Sequence, residues 1–202
     1  MKSFDSSHIQ DATKILQKGG IIAFPTETVF GLGVVYDNSE SYKRLVAVKQ
    51  RPPEKPFTLM CANQNDVEKY AYVSGAAKKL IKAFMPGQFT IILKAKDFLP
   101  SWVVSKDGMV GIRVPDYPLV NELIRNVGKP LLVPSANKSG MPPILEENGI
   151  DEVFDGEIDG KILGKTTSNV PSTIVIVKDD KIGIVREGMI SKKEIEQILE
   201  EE

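Results

Sequence analysis

Apolar runs of four to six residues alternate along the chain with segments whose apolar positions recur at helical spacing. This is the pattern of an α/β protein whose sheet is covered on its faces. The runs at 21–24, 57–61, 89–93, 110–114, 131–133, 173–177 and 182–185 predict strands, and the segments 9–16, 39–48, 67–70, 76–84, 119–125 and 191–199 predict helices. The last helix is the best marked, because Ser191 followed three residues later by Glu194 forms a capping box ahead of Ile195, Ile198 and Leu199. No obvious helix lies between Phe89 and Val114, so a mixed sheet is expected rather than a regular parallel one. No repeat or long linker divides the chain, which predicts a single domain over 1–202.

The composition, 42% hydrophobic and 26% charged over 202 residues, supports a sizeable core and excludes disorder or a disulfide miniprotein. Lys and Arg number 26 against 27 for Asp and Glu, so the net charge of −1 supplies no global field for nucleic acid or an anionic membrane, and any anion site must be local. A lone Cys61 and a lone His8 allow neither an internal disulfide nor a zinc cluster; Cys61 reads as packed and His8 as a surface or helix-start residue. With neither a leader pattern nor an apolar stretch of ~20 residues, a cytoplasmic protein without a membrane partner is expected.

Four polar stretches could carry chemistry, and three follow strand-like runs, where open α/β sheets bind ligands. In Phe24-Pro-Thr-Glu-Thr-Val-Phe-Gly-Leu-Gly33, Pro25 ends a strand, Thr26 and Thr28 offer hydroxyls, and Gly31 and Gly33 permit close backbone approach; a turn with local Thr-to-backbone bonds is the simpler alternative. In Lys49-Gln-Arg51-Pro-Pro-Glu-Lys55-Pro56, three cations on a proline-stiffened segment suit either a helix C-terminus with a solvated loop or a polyphosphate, and Lys49 and Arg51 are expected to be exposed. In Leu131-Leu-Val-Pro-Ser135-Ala-Asn137-Lys138-Ser139-Gly140, Ser135 and Asn137 alternate and can point the same way. Ser135 to Lys138 also spells the S-x-x-K of serine acyl enzymes, but Gly140, Pro142 and Pro143 break the helix that motif needs. Gly160-Lys-Ile-Leu-Gly164-Lys165-Thr166 misses the P-loop spacing, with Asp159 where a glycine is required. Arg113 and Arg186, each at the end of an apolar run, call for a partner or an anionic ligand.

Taken in order, Phe24-Pro-Thr-Glu-Thr-Val-Phe-Gly-Leu-Gly33, Lys49-x-Arg51 with Lys55-Pro56, Pro86-Gly87 before Phe89-Thr-Ile-Ile-Leu93, Gly111-Ile-Arg-Val-Pro115, Pro134-Ser-Ala-Asn-x-Ser-Gly140, Ser172-Thr-Ile-Val175 and Val185-Arg-Glu-Gly188 resemble the YrdC family over roughly residues 10 to 190. The resemblance implies a twisted mixed β-sheet with flanking helices enclosing a basic cavity. It further implies a nucleotidyltransferase that forms L-threonylcarbamoyl-adenylate and pyrophosphate from L-threonine, bicarbonate and ATP, for threonylcarbamoyladenosine modification of tRNA. In that reading Lys49, Arg51, Ser135 and Asn137 are the catalytic set. Arg51, Lys55, Asn137 and Arg186 bind ATP, and Thr28, Arg113, Ser135 and Ser172 bind threonine. Mg2+ comes with ATP and is held mainly by its phosphates, with no ligand from protein side chains. Implied partners are tRNA or double-stranded RNA and the proteins that transfer the threonylcarbamoyl group. The chain resembles the short form, without the further C-terminal domain of longer relatives.

Two other readings compete. Pro56-Phe-Thr-Leu-Met-Cys61 reads like the YciO-type paralogues, which points to nucleotide or double-stranded RNA binding without synthase turnover. A serine acyl-transfer enzyme would use Ser135 with Lys138.

Overall fold

The structure, a computed structural model, describes residues 1–51, 56–179 and 181–200. The strands are β1 (Lys2–Phe4), β2 (Ile22–Phe24), β3 (Gly31–Val35), β4 (Leu59–Met60), β5 (Phe89–Lys94), β6 (Met109–Arg113), β7 (Leu131–Leu132), β8 (Gly160–Ile162), β9 (Thr173–Lys178) and β10 (Lys181–Arg186). The α-helices are α1 (Ile9–Gln17), α2 (Ser39–Lys49), α3 (Val67–Tyr70), α4 (Gly75–Phe84), α5 (Pro118–Val127), α6 (Glu147–Phe154) and α7 (Lys192–Glu200). The strands form one ten-stranded sheet in the order β1-β8-β2-β3-β7-β4-β6-β5-β9-β10. It is mixed, as expected: β5 runs antiparallel to β6 across the helix-free connection and parallel to β9. The capping box forms, with Ser191 N and Oγ donating to Glu194 and Glu194 N donating back to Ser191 Oγ.

Alternation along the strands divides the interior in two. Ile21 and Ala23 join a core with Leu45 of α2, Leu80 of α4, Phe154 of α6 and Ile195 of α7, while Ile22 and Phe24 join a second core with Leu16 of α1 and Leu123 of α5. Each fully buried Leu or Phe contributes roughly 1.5–3 kcal/mol. The first core runs from β2 across to β9 and includes Phe89, Ile91, Ile112 and Val175, while Phe4 of β1 and Ile162 of β8 belong to the second. The second takes nothing from β5, β6 or β9. There the residues that alternate with the first core, among them Thr90, Arg113 and Ile174, line a cavity instead.

Strands β1, β3 and β8 and helix α6 lie outside the predicted elements. In β3, Gly31 pairs with Phe24 and Gly33 with Ile22. A Cβ on Gly33 would stand 2.5 Å from Phe24 Cε1 and one on Gly31 2.6 Å from Val133 Cγ1. These glycines therefore make room for neighbouring side chains, where the sequence pointed to a close backbone approach.

Helix α2 ends in a Schellman arrangement: Gln50 N donates to Ala47 O at 3.0 Å and Arg51 N to Val46 O at 3.2 Å, with Gln50 left-handed at φ 51°. That turn directs the chain from Lys49 into Arg51, and it costs a residue with a Cβ about 1 kcal/mol. Gln50→Gly is expected to raise stability by about 0.5–1 kcal/mol in urea unfolding; an unchanged or lower midpoint would contradict this account of the turn.

Candidate active site

The end of α2 and the loop 134–141 hold each other. Val48 O accepts from Lys138 Nζ at 2.9 Å and Lys49 O from Ser139 N at 2.8 Å. In return Lys49 Nζ donates to Ser135 O at 2.5 Å, Asn137 O at 2.7 Å and Asn137 Oδ1 at 2.9 Å. These three bonds use every donor of an ammonium. Lys49 is 2% exposed, which corrects the expectation of an exposed cation: the loop closes over it and supplies the oxygens a buried charge requires.

Asn137 is equally committed. Its Oδ1 also accepts from Ser135 Oγ at 2.6 Å, and its Nδ2 donates to Lys138 O at 2.9 Å and Met141 O at 2.7 Å. Ser135 and Asn137 do point together, but towards each other. Ala136 N donates to Phe30 O at 2.6 Å, tying the loop to the start of β3. Lys138 Nζ reaches Glu157 Oε2 at 2.5 Å and lies over the Phe154 ring, and residues 135–138 are not helical, so nothing here favours a Ser–Lys acylating pair.

Beside this loop lies a cavity of about 400 Å³ whose lining includes Thr28, Arg51, Arg113, Ser135, Ser172 and Arg186. These are sequence-predicted site residues from six separate stretches of chain. Lys49 and Asn137 stand behind its wall, and Lys55 lies outside the described residues. Arg113 Nη2 donates to Glu27 Oε1 at 2.7 Å and to Thr28 Oγ1 at 3.1 Å. Arg186 donates to Ser172 O through Nε at 3.1 Å and Nη2 at 2.9 Å, and Thr90 Oγ1 lies 3.0 Å from Ser172 Oγ. The Arg51 guanidinium sits 5.0 Å from the Phe57 ring centre. Burial lowers the pKa of Arg51, and burial together with the Arg113 charge lowers that of Arg186, yet a guanidinium stays charged.

None of the described lining residues is acidic, so a chain of net charge −1 gathers three guanidinium groups around one cavity, with the Glu27 carboxylate that pairs with Arg113 set outside the lining. The arrangement suits an elongated anion with phosphate and carboxylate groups. Among the described residues no group of three or more His, Cys, Asp or Glu side chains is placed to hold a metal ion. Nor is any helix of the described residues long and apolar enough to cross a membrane. Sequence reasoning gave no role to Glu27 or Thr90, although Thr90 interrupts the apolar run 89–93 and Glu27 sits inside a quoted motif.

Burial first, then the Arg51 and Lys138 charges, draw the Lys49 pKa down to about 8, against the three oxygens that favour the ammonium. Lys49→Met is expected to cost about 2–4 kcal/mol, because loop oxygens lose a buried donor; an unchanged thermal midpoint would show that the loop does not depend on it. With the folded pKa below the unfolded value of 10.5, the unfolded chain binds more protons from about pH 8 to 10.5. The stability of the wild type relative to Lys49→Met should therefore rise with pH across that window, and a flat difference would contradict the depressed pKa.

The Sua5/YciO/YrdC family model, described as "Telomere recombination", matches residues 14–188. The threonylcarbamoyl-AMP synthase of Vibrio campbellii is 34% identical over 192 residues, covering 93% of this chain and 100% of that protein. The crystal structure of Pyrococcus abyssi Sua5 complexed with L-threonine superposes with a TM-score of 0.92 at 29% identity, covering 98% of this chain and 60% of that one, so the chain spans about three fifths of its length. The Escherichia coli YciO structure superposes at 0.88 with 28% identity, covering 96% and 98%. The mixed sheet, the basic cavity and these similarities agree: the chain belongs to the Sua5/YciO/YrdC family.

Proposed function

We propose that the chain is an L-threonylcarbamoyladenylate synthase, a nucleotidyltransferase acting on L-threonine, bicarbonate and ATP. The observation that supports this most directly is the cavity itself, in which Arg51, Arg113 and Arg186 face hydroxyls of Thr28, Ser135 and Ser172 with no carboxylate among the described lining residues. The family relatives support the same reading, since one is named a threonylcarbamoyl-AMP synthase and another is complexed with L-threonine.

In this mechanism the threonine amine adds to carbon dioxide derived from bicarbonate, loses a proton and becomes a carbamate. A carbamate oxygen forms a bond to the α-phosphorus of ATP, the bond from that phosphorus to the bridging oxygen breaks, and pyrophosphate leaves with the electron pair. Arg51, Lys55 and Arg186 hold the phosphates and stabilise the charge on the departing pyrophosphate. Arg113, with Thr28 and Ser172, takes the threonine carboxylate. Ser135 meets the adenylate from the loop wall, and Lys49 and Asn137 act by positioning that loop, since their polar atoms are already bonded within the protein. Holding the reactants in register provides the rate, and no covalent enzyme intermediate is required. Mg2+ enters with the nucleotide, and the adenylate passes to proteins that modify tRNA.

Pyrophosphate release from ATP and Mg2+ is expected to require both L-threonine and bicarbonate; nucleotide binding without turnover would overturn the synthase reading and leave a YciO-like binding protein. Arg51→Ala is expected to lower kcat/KM for ATP by about 100-fold through loss of charge-assisted phosphate bonds, and wild-type kinetics would remove Arg51 from the phosphate site. Arg113→Ala should raise the KM for threonine far more than that for ATP, whereas equal increases would contradict a carboxylate-binding role.

A further inference from the structure

The ion pair between Arg113 and Glu27 is incompletely made. Both side chains are more than nine-tenths buried, at 9% and 7% exposure, and they meet through one contact of 2.7 Å between Nη2 and Oε1. A buried Arg–carboxylate pair built for stability alone favours the bidentate fork, with two parallel bonds. Here Arg113 Nε and Glu27 Oε2 have no hydrogen-bond partner in the protein, and a buried polar atom left unpaired is unfavourable. Glu27 is itself fixed: its Oε1 accepts from Asp116 N at 3.2 Å, and its backbone oxygen accepts from Gln88 Nε2 at 3.3 Å and Thr167 Oγ1 at 3.1 Å. The carboxylate thus grips one corner of the guanidinium from a rigid turn, beside the Thr28 hydroxyl that grips the same nitrogen.

The consequences lie in the cavity. Arg113 belongs to its lining while Glu27 does not, so the acid stands behind the base and orients it. Arg186 is near enough for the Arg113 charge to act on it. Without a fixed partner, two guanidinium groups facing one cavity would move apart or share a single anion.

We propose that Glu27 is a positioning residue for the amino-acid half of the site, holding Arg113 in the orientation that takes a substrate carboxylate and keeping it distinct from the phosphate-binding arginines. This rests on the synthase reading for the identity of the carboxylate, L-threonine, but it can be tested by binding alone. Glu27→Gln keeps an amide oxygen that can accept from Arg113 and removes the charge; Glu27→Ala removes both.

The test is calorimetric titration of the folded wild type and both variants with L-threonine and, separately, with inorganic pyrophosphate, alongside pyrophosphate release from ATP by the wild type. Thermal melts verify folding, and Glu27→Gln serves if Glu27→Ala does not fold. Threonine affinity is expected to fall about tenfold in Glu27→Gln and further in Glu27→Ala, while pyrophosphate affinity holds or tightens. A merely structural role would lower both affinities together or lower only the melting point, and either result overturns the proposal, as does a wild type that binds no threonine. If the wild type binds threonine but releases no pyrophosphate, the synthase reading fails while the titrations still decide the role of Glu27. If turnover is present and the variants bind threonine as the wild type does, Glu27 loses its role and the synthase reading stands.

Discussion

The shape of the site depends on one buried ammonium. Lys49 ends a helix whose own last carbonyls are bonded by the loop, and its side chain turns back to three oxygens of the same loop. The contact satisfies the charge of Lys49 and fixes the backbone of a segment that forms no regular structure between Pro134 and Met141. A proline-bounded loop of small polar residues would otherwise have many conformations, and ordering it costs roughly 1–2 kcal/mol per residue. Lys49 offsets part of that cost in a place too dry for water to compete. With the loop fixed, Ser135 stands at the cavity wall while Asn137 closes the loop from inside.

The second constraint is charge. Helices α1 and α5 cover one end of a sheet face and leave the β5, β6 and β9 end open, so the second core stops and the cavity begins. Arg113 and Thr90 are opposite one another in the β5–β6 pairing, which places a cation and a hydroxyl on that floor. Adding Arg186 from β10 and Arg51 from the turn after α2 produces an anion site in a protein whose overall charge would not attract one. Affinity here is a matter of local geometry, and the Glu27 carboxylate behind Arg113 is part of that geometry.

Much of this could be read in the chain, and the failures have causes. The strands with β-branched and aromatic runs form where the period-two and apolar pattern put them, because the face that packs on the first core fixes which residues point inward. Strand β3 escaped because Gly31 and Gly33 carry no pattern, and α6 because Gly149 and its acidic residues weaken a helical signal. The cavity residues Thr28, Arg51, Arg113, Ser135, Ser172 and Arg186 stand out as polar groups after apolar runs. The direction of the Lys49 side chain does not: a lysine at a helix C-terminus looks solvated until the loop 86 residues away is seen to fold over it. Glu27 is likewise silent in sequence, since its partner Arg113 is 86 residues distant.

The central claim is that loop and cavity form one preorganised anion site with separate phosphate and carboxylate ends. An experimental structure of the chain with a non-hydrolysable ATP analogue and L-threonine tests it most directly. The account predicts phosphates on Arg51 and Arg186, the carboxylate on Arg113, and Lys49 still bonded to Ser135 and Asn137. Ligands bound outside this cavity, or a Lys49 released from the loop to meet the nucleotide, would contradict it.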